Sequence, residues 1–259
     1  MTSPLVFITG ASSGIGQALA GRFYQAGYRL ALSARRTDEI QNWAQARQWA
    51  SDRYQIYGAD VAQIDSIAAA GLACIENQGV PEVVIANAGI GIVMNTAKRA
   101  DLDTMARTFA INTVGLAATF HPFVQPMRER GSGRLVSIAS VAGMRGLPKN
   151  GAYSASKAAA INYSESLRIE LRHTGVKVLT ICPGYIDTPL TRGSRYPMPF
   201  LMRAEDFAEQ AFKRIEAGRG YSVIPWQMGI VARIMRVLPN AIYDRAAPNQ
   251  SPKPRQGGK

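Results

Sequence analysis

Short apolar runs alternate along the chain with longer segments whose apolar residues return every three or four positions. Leu5–Ile8, Arg29–Ser33, Tyr54–Tyr57, Pro81–Ala86, Arg134–Ser140, Val176–Ile181 and Tyr221–Pro225 have the length and character of strands buried on both faces. Between them lie helix-period segments. The first carries Ile15, Leu19 and Phe23 one turn apart, and others run from about Ile64 to Asn77, Leu102 to Arg130, Tyr153 to His173 and Ala204 to Ala217. Strand–helix alternation repeated six times and closed by one more strand predicts an α/β fold. Its expected form is a single doubly wound parallel β-sheet flanked by helices on both faces.

Several stretches break the rhythm. Pro122 and Pro126 are expected to kink or end the Leu102–Arg130 helix. Asn112, near its middle, is a poor interior helix residue. It marks either a local break that holds a water or an amide satisfied by a neighbouring strand. Residues 185–203 are rich in Pro, Met and aromatics (Tyr196, Met198, Phe200, Met202) and read as a lid over an apolar pocket. Residues 226–240 read as a C-terminal amphipathic helix, and 248–259 as a disordered tail. No repeat or composition break divides residues 1–247, which are expected to form one catalytic domain.

Composition changes this picture little, and charge changes it somewhat. The chain has 259 residues, 47% of them hydrophobic, and no apolar stretch of membrane-spanning length. Neither a signal peptide nor a metal or disulfide spacing of Cys74 and Cys182 is present, so a reducing cytoplasm is expected. The net charge is +12, and residues 192–259 contribute twelve Lys/Arg against five Asp/Glu, or +7. No interleaved aromatic–basic pattern accompanies it, so no nucleic-acid partner is expected. Arg233 and Arg236 on the apolar segment Ile230–Leu238 leave two readings: contact with an anionic membrane, or a helix that closes a pocket or subunit interface. The second is favoured.

Candidate chemistry collects at the ends of the predicted strands. Thr9-Gly10-Ala11-Ser12-Ser13-Gly14-Ile15-Gly16 joins the first strand to the first helix. Glycines there let backbone approach a pyrophosphate, and the helix N-terminus offers N–H groups and a positive dipole end. Arg35 and Arg36 end the second strand, where an NAD-binding fold carries an acidic residue. Two guanidiniums suit a 2′-phosphate, so NADP (NADPH) is favoured over NAD. Asp38 and Glu39 could pair with them. Asp60 closes the third strand and either caps the next helix or accepts from an adenine amino group. Asn87-Ala88-Gly89 follows the fourth strand and leaves room for a flat ring, and Ser140 ends the fifth. Tyr153 and Lys157 lie one helical turn apart, so a cation is expected to lower the phenol pKa toward a working range.

In this order and at these intervals, Thr9-Gly10-x-x-x-Gly14-Ile15-Gly16, Asn87-Ala88-Gly89, Asn112, Ser140, Tyr153-x-x-x-Lys157 and Pro183-Gly184 resemble the short-chain dehydrogenase/reductase family in its single-domain, Rossmann-type form. The resemblance covers residues 5 to about 225; Ala86 stands where the family often has a second Asn. It implies that Tyr153 is the acid/base. Lys157 lowers its pKa and bonds the nicotinamide ribose, while Ser140 polarises the substrate oxygen. Asn112 holds a water that links Lys157 to solvent. Gly10, Ser12, Ser13, Gly14, Ile15, Gly16, Asn87, Ala88, Gly89, Pro183 and Gly184 would surround the dinucleotide. Asp60 and Val61 would contact its adenine, Arg35 and Arg36 its 2′-phosphate, and Ile186 and Thr188 its carboxamide. No metal is implied.

The expected function is therefore NADP-dependent interconversion of a carbonyl and an alcohol, on a small apolar substrate, in a homodimer or homotetramer. A dinucleotide-binding regulator without turnover is the alternative, and the intact set Asn112, Ser140, Tyr153 and Lys157 argues against it.

Overall fold

The computed structural model describes residues 3–192 and 197–246. Tyr196 of the expected lid and the expected 248–259 tail lie outside the described residues. In chain order the elements are β1 (Leu5–Thr9), α1 (Gly14–Gln25), β2 (Arg29–Ala34), α2 (Thr37–Ala46), β3 (Tyr54–Gly58), α3 (Ile64–Gln78), β4 (Val83–Ala86), α4 (Arg99–Phe109), a π-helical turn (Ala110–Val114) and α5 (Gly115–Arg130). There follow β5 (Gly133–Ile138), α6 (Gly151–Glu170), β6 (Val176–Pro183), β7 (Ile186–Asp187), β8 (Met202–Arg203), α7 (Ala204–Glu216), β9 (Tyr221–Ile224), α8 (Trp226–Val237) and α9 (Asn240–Ala246).

Seven strands form one parallel sheet in the order β3-β2-β1-β4-β5-β6-β9. The doubly wound α/β architecture expected from the sequence is thus the observed one. Successive side chains of β1 alternate between two cores, because strand side chains have a period of two. Val6 and Ile8 pack with Leu19 and Phe23 of α1 and Phe207 of α7. Leu5 and Phe7 pack with Ile67 of α3 and Phe120, Phe123 and Met127 of α5. Both faces are covered, which is why the strand is apolar throughout. Strand order reverses between β1 and β4, and ligands of open α/β sheets collect at such switch points.

The expected long helix is three pieces. The Gly115 N–H bonds to the Ala110 carbonyl five residues back, and this widened turn separates α4 from α5. Of the two outcomes expected of Pro122 and Pro126, ending the helix does not occur, since both lie inside α5. The reason is on α3. Gly71 leaves space for the Pro122 ring, and a Cβ there would stand 2.6 Å from Pro122 Cγ. Packing against that gap offsets the lost backbone bond.

Residues 185–203 are less irregular than expected, since β7 and β8 pair in parallel through Ile186–Met202 and Asp187–Arg203. The helix expected over 226–240 is two, since α8 ends at Val237 and α9 begins at Asn240.

Candidate active site

A cleft opens along the C-terminal ends of β1, β2, β4, β5 and β6. Its walls include Gly10, Ser12, Ser13, Gly14 and Ile15 after β1, Arg35 and Arg36 after β2, Asp60 and Val61 after β3, and Asn87, Ala88 and Gly89 after β4. Ser140, Tyr153, Lys157, Pro183, Gly184, Ile186 and Thr188 complete them. Two expected site residues are not on the wall. Gly16 sits behind it, where a Cβ would stand 2.2 Å from the Gly10 carbonyl oxygen. Its part is to let α1 close onto β1. Asn112 also lies behind the wall, with its neighbour Ile111 exposed to the cleft instead.

The glycine turn is built to receive an anion. Gly10 and Gly14 adopt φ of +66° and +56°, which L side chains resist. Ser13 gives α1 no side-chain cap, and its first turn holds no acidic residue, so backbone N–H groups there remain to be satisfied. Such an N-terminus favours phosphate. Asn87 fixes the turn from across the switch point. Its Nδ2 donates to the carbonyls of Thr9 at 3.0 Å and Gly10 at 3.3 Å, and its backbone N–H donates to Thr9 Oγ1 at 3.1 Å. These residues fit a dinucleotide pyrophosphate.

At the rim, Arg36 pairs with Glu39 at 2.9 Å and reaches Ser12 Oγ at 3.5 Å. Arg35 faces Asp60 at 3.8 Å rather than Asp38. The Asp60 carboxylate also accepts from the Ala62 backbone N–H at 3.0 Å in a turn ahead of α3, whose N-cap is Gln63, so Asp60 does not cap that helix. Both arginines are more than half exposed, so these ion pairs are weak and a doubly charged phosphate can displace them.

The other end of the cleft holds the groups able to move a proton. Ser140 follows β5 and accepts from the Ala142 N–H at 3.1 Å, and it lines the cleft together with Tyr153. Loss of solvation pushes the Tyr153 phenol above its ordinary value, and the neighbouring Ser140 hydroxyl only partly opposes this. Burial pulls the Lys157 ammonium down to about 8. Its Nζ donates to the Ile138 carbonyl at 2.8 Å and lies 5.9 Å from the Tyr153 ring centre. The sequence-based expectation that Lys157 draws the phenol pKa down is therefore reversed in this state. Both groups are too poorly solvated, and the ammonium is spent on a carbonyl.

Asn112 resolves as a clasp. Its Oδ1 accepts from the Ile90 N–H at 2.9 Å, and its Nδ2 donates to the Ile90 carbonyl and to Ser156 Oγ, each at 2.9 Å. Both amide hydrogens are used; the helix does break at Asn112, as the π-helical turn, and the amide is satisfied by the loop after β4 and by α6 rather than by a strand. Gly89 makes the convergence possible, since a Cβ there would come within 3.2 Å of Asn112 Oδ1 and 3.4 Å of Lys157 Nζ. Ser156 and Ile90 went unremarked in the sequence, although Ser156 directly precedes Lys157. Thr191, whose Oγ1 accepts from the Thr188 N–H at 3.0 Å, was also missed.

The lid is corrected in part. Thr188, Pro189, Leu190 and Thr191 line the cleft, but Phe200 and Met202 line a separate hollow with Arg203 and Asp206.

Lys157 makes stability depend on pH in an unusual direction. Its folded pKa lies below the ordinary 10.5, so burying its charge costs stability in full below pH 8. That cost is relieved as pH rises between about 8 and 10.5. Urea unfolding at several pH values should show the chain gaining on its Lys157→Met variant by up to about 1.4 kcal/mol per pH unit across this window. A pH-independent difference would contradict the burial.

The sheet order and the glycine turn at its switch point define a Rossmann-type protein, and comparison with known proteins agrees. Residues 4–198 match the family described as short chain dehydrogenase, and the chain belongs to that family. A Myxococcus xanthus protein named an uncharacterized oxidoreductase is 38% identical over 247 residues, covering 95% of this chain and 97% of its own. An alcohol dehydrogenase from Thermococcus sibiricus, solved with 5-hydroxy-NADP, is 26% identical with a TM-score of 0.74, covering 83% of this chain and 91% of its own. A Burkholderia phymatum short chain dehydrogenase/reductase solved with NAD shares the fold, with a TM-score of 0.81 at 22% identity, covering 96% and 97%. The chain is therefore an oxidoreductase of this family, whose solved neighbours include NAD and NADP complexes.

Proposed function

We propose that the protein interconverts a carbonyl and an alcohol using NADP(H), with Tyr153 as acid/base. The observation that carries this reading is that Tyr153, Ser140 and Lys157 line one end of a cleft whose other end is an anion-ready glycine turn. When bound, the dihydronicotinamide would supply a hydride to the carbonyl carbon. Ser140 then donates to the substrate oxygen and fixes its position. Tyr153 delivers its phenolic proton to that oxygen as charge develops, so the C=O bond becomes H–C–O–H. The phenolate is reprotonated from solvent. In the alcohol-oxidising direction Tyr153 takes the hydroxyl proton instead.

Lys157 and Asn112 act around this pair: Lys157 would bond the nicotinamide ribose, and Asn112 ties the Ile90 loop to Ser156, the residue before Lys157. Arg35 and Arg36 at the rim support the 2′-phosphate, as does the Thermococcus neighbour solved with an NADP derivative. Cleft residues Pro189, Leu190 and Ile90 favour an apolar substrate. A homodimer or homotetramer through α5 and α6 completes the reading. The test is a panel of ketones, aldehydes and alcohols run in parallel with NADPH and NADH. Turnover of at least one apolar carbonyl with NADPH is expected; tight NADPH binding with no turnover of any panel member would leave only a regulator.

A further inference from the structure

Helix α8 carries two apolar faces, and only one of them is used by the fold. Met228 and Ala232 point inward, Met228 against Ala139, Val141 and Cys182. On the other side, Trp226, Ile230, Ile234 and Val237 stand at successive helical turns with 64%, 49%, 52% and 79% of their surface exposed. Ile242 of α9 adds a fifth large exposed side chain at 52%. Exposed apolar side chains scattered singly need no explanation, but a continuous stripe marks a surface that binds something. A helix whose outer face met only water would carry polar residues there.

Charge decides what covers the stripe. Arg233 and Arg236 are exposed along one edge of it. Residues 226–259 carry six Lys/Arg (Arg233, Arg236, Arg245, Lys253, Arg255, Lys259) and one acidic residue, Asp244, for a net +5. A second copy docking stripe to stripe would set like charges against each other, because a two-fold interface is self-complementary. An anionic lipid surface complements both features at once: its headgroups take the arginines and its interface takes the tryptophan and the aliphatic side chains. No helix among the described residues is long and apolar enough to cross a membrane, so α8 would lie in the plane of the surface.

We propose that α8 and α9 form a docking face for an anionic membrane surface. The face is tied to the candidate active site. Arg145, on the loop between Ser140 and Tyr153, donates to the carbonyls of Met235 and Leu238 and to Asn240 Oδ1. Its guanidinium lies 3.9 Å over the Tyr243 ring, and Tyr243 returns a hydrogen bond of 2.7 Å to the Gly146 carbonyl. Arg236 adds a bond to the Met144 carbonyl at 3.2 Å. The docking segment thus grips the loop that links the two proton-handling residues, and docking sets that loop against the lipid. The inference stands on exposure and charge, whatever reaction the cleft performs.

Flotation of the full chain with vesicles of phosphatidylcholine mixed with phosphatidylglycerol, against phosphatidylcholine alone, tests it. The chain should float with the anionic vesicles only, and high salt should release it. Ile230→Glu/Ile234→Glu should reduce bound protein by about tenfold or more, with thermal unfolding, NADPH affinity and particle mass unchanged. In the unsubstituted chain, anionic vesicles should shift tryptophan emission to the blue, and Trp226→Phe should remove that shift. Equal flotation of chain and double variant would overturn the proposal. So would absence of flotation combined with a fall in particle mass in the variant, which would assign the stripe to a second copy.

Discussion

Tyr153→Phe is expected to lower turnover of any accepted carbonyl by about 10²- to 10⁴-fold, the usual contribution of a positioned general acid. NADPH affinity should stay within about twofold, because the substitution removes one oxygen and leaves the ring. The phenol of Tyr153 borders the cleft from α6, as Ser140 does from the end of β5. Stopped turnover with intact binding separates loss of chemistry from loss of the site. Unchanged turnover in Tyr153→Phe would move the acid to another residue and dismiss the proposed roles of Ser140 and Lys157 with it.

Cofactor choice carries the second large effect. Arg35→Ala/Arg36→Ala should weaken NADPH by about 100-fold, since charge-assisted hydrogen bonds contribute about 1.5–3 kcal/mol and half-exposed ones the lower part of that range. NADH should change by less than about twofold, because it has no 2′-phosphate to lose. Titration of both dinucleotides against chain and variant gives the result directly. The partners of the arginines sharpen the expectation. Arg36 already reaches Ser12 on the glycine turn, so it is pointed toward the dinucleotide and not only toward Glu39. Equal losses for NADPH and NADH would mean that the two arginines merely hold the rim together through Asp60 and Glu39.

Much of the fold was legible because a parallel sheet writes itself plainly. Val6 and Ile8 face one core while Leu5 and Phe7 face the other, so β1 reads as an unbroken apolar run. The glycine turn was legible because positive φ at Gly10 and Gly14 demands that residue type. What escaped depends on partners distant in sequence. Nothing in α5 itself says that Gly71 of α3 leaves room for Pro122. Pairing of Ile186 with Met202 joins residues sixteen positions apart across a stretch without strand character. Asn112 was noticed as an anomaly, but its clasp on Ile90 and Ser156 needs the positions of three elements at once.

The pKa pattern was the least legible part. Spacing alone put Lys157 beside Tyr153 and suggested a lowered phenol. The folded chain buries Lys157, leaves Tyr153 half-buried on the cleft wall and gives the ammonium to the Ile138 carbonyl, so desolvation outweighs the pairing. An oxidised nicotinamide in the cleft would bring a second cation near the phenol and draw its pKa back down. On this account the same Tyr153 serves as an acid before hydride transfer and as a base for the reverse reaction.

The most direct measurement follows the hydrogen atoms. A carbonyl accepted in the panel would be reduced with NADPH carrying deuterium at the transferable nicotinamide position, and the alcohol analysed by mass spectrometry. The cleft chemistry predicts one deuterium on the former carbonyl carbon, with the hydroxyl proton drawn from solvent through Tyr153. An alcohol without carbon-bound deuterium, or NADPH consumed with no alcohol formed, would contradict it.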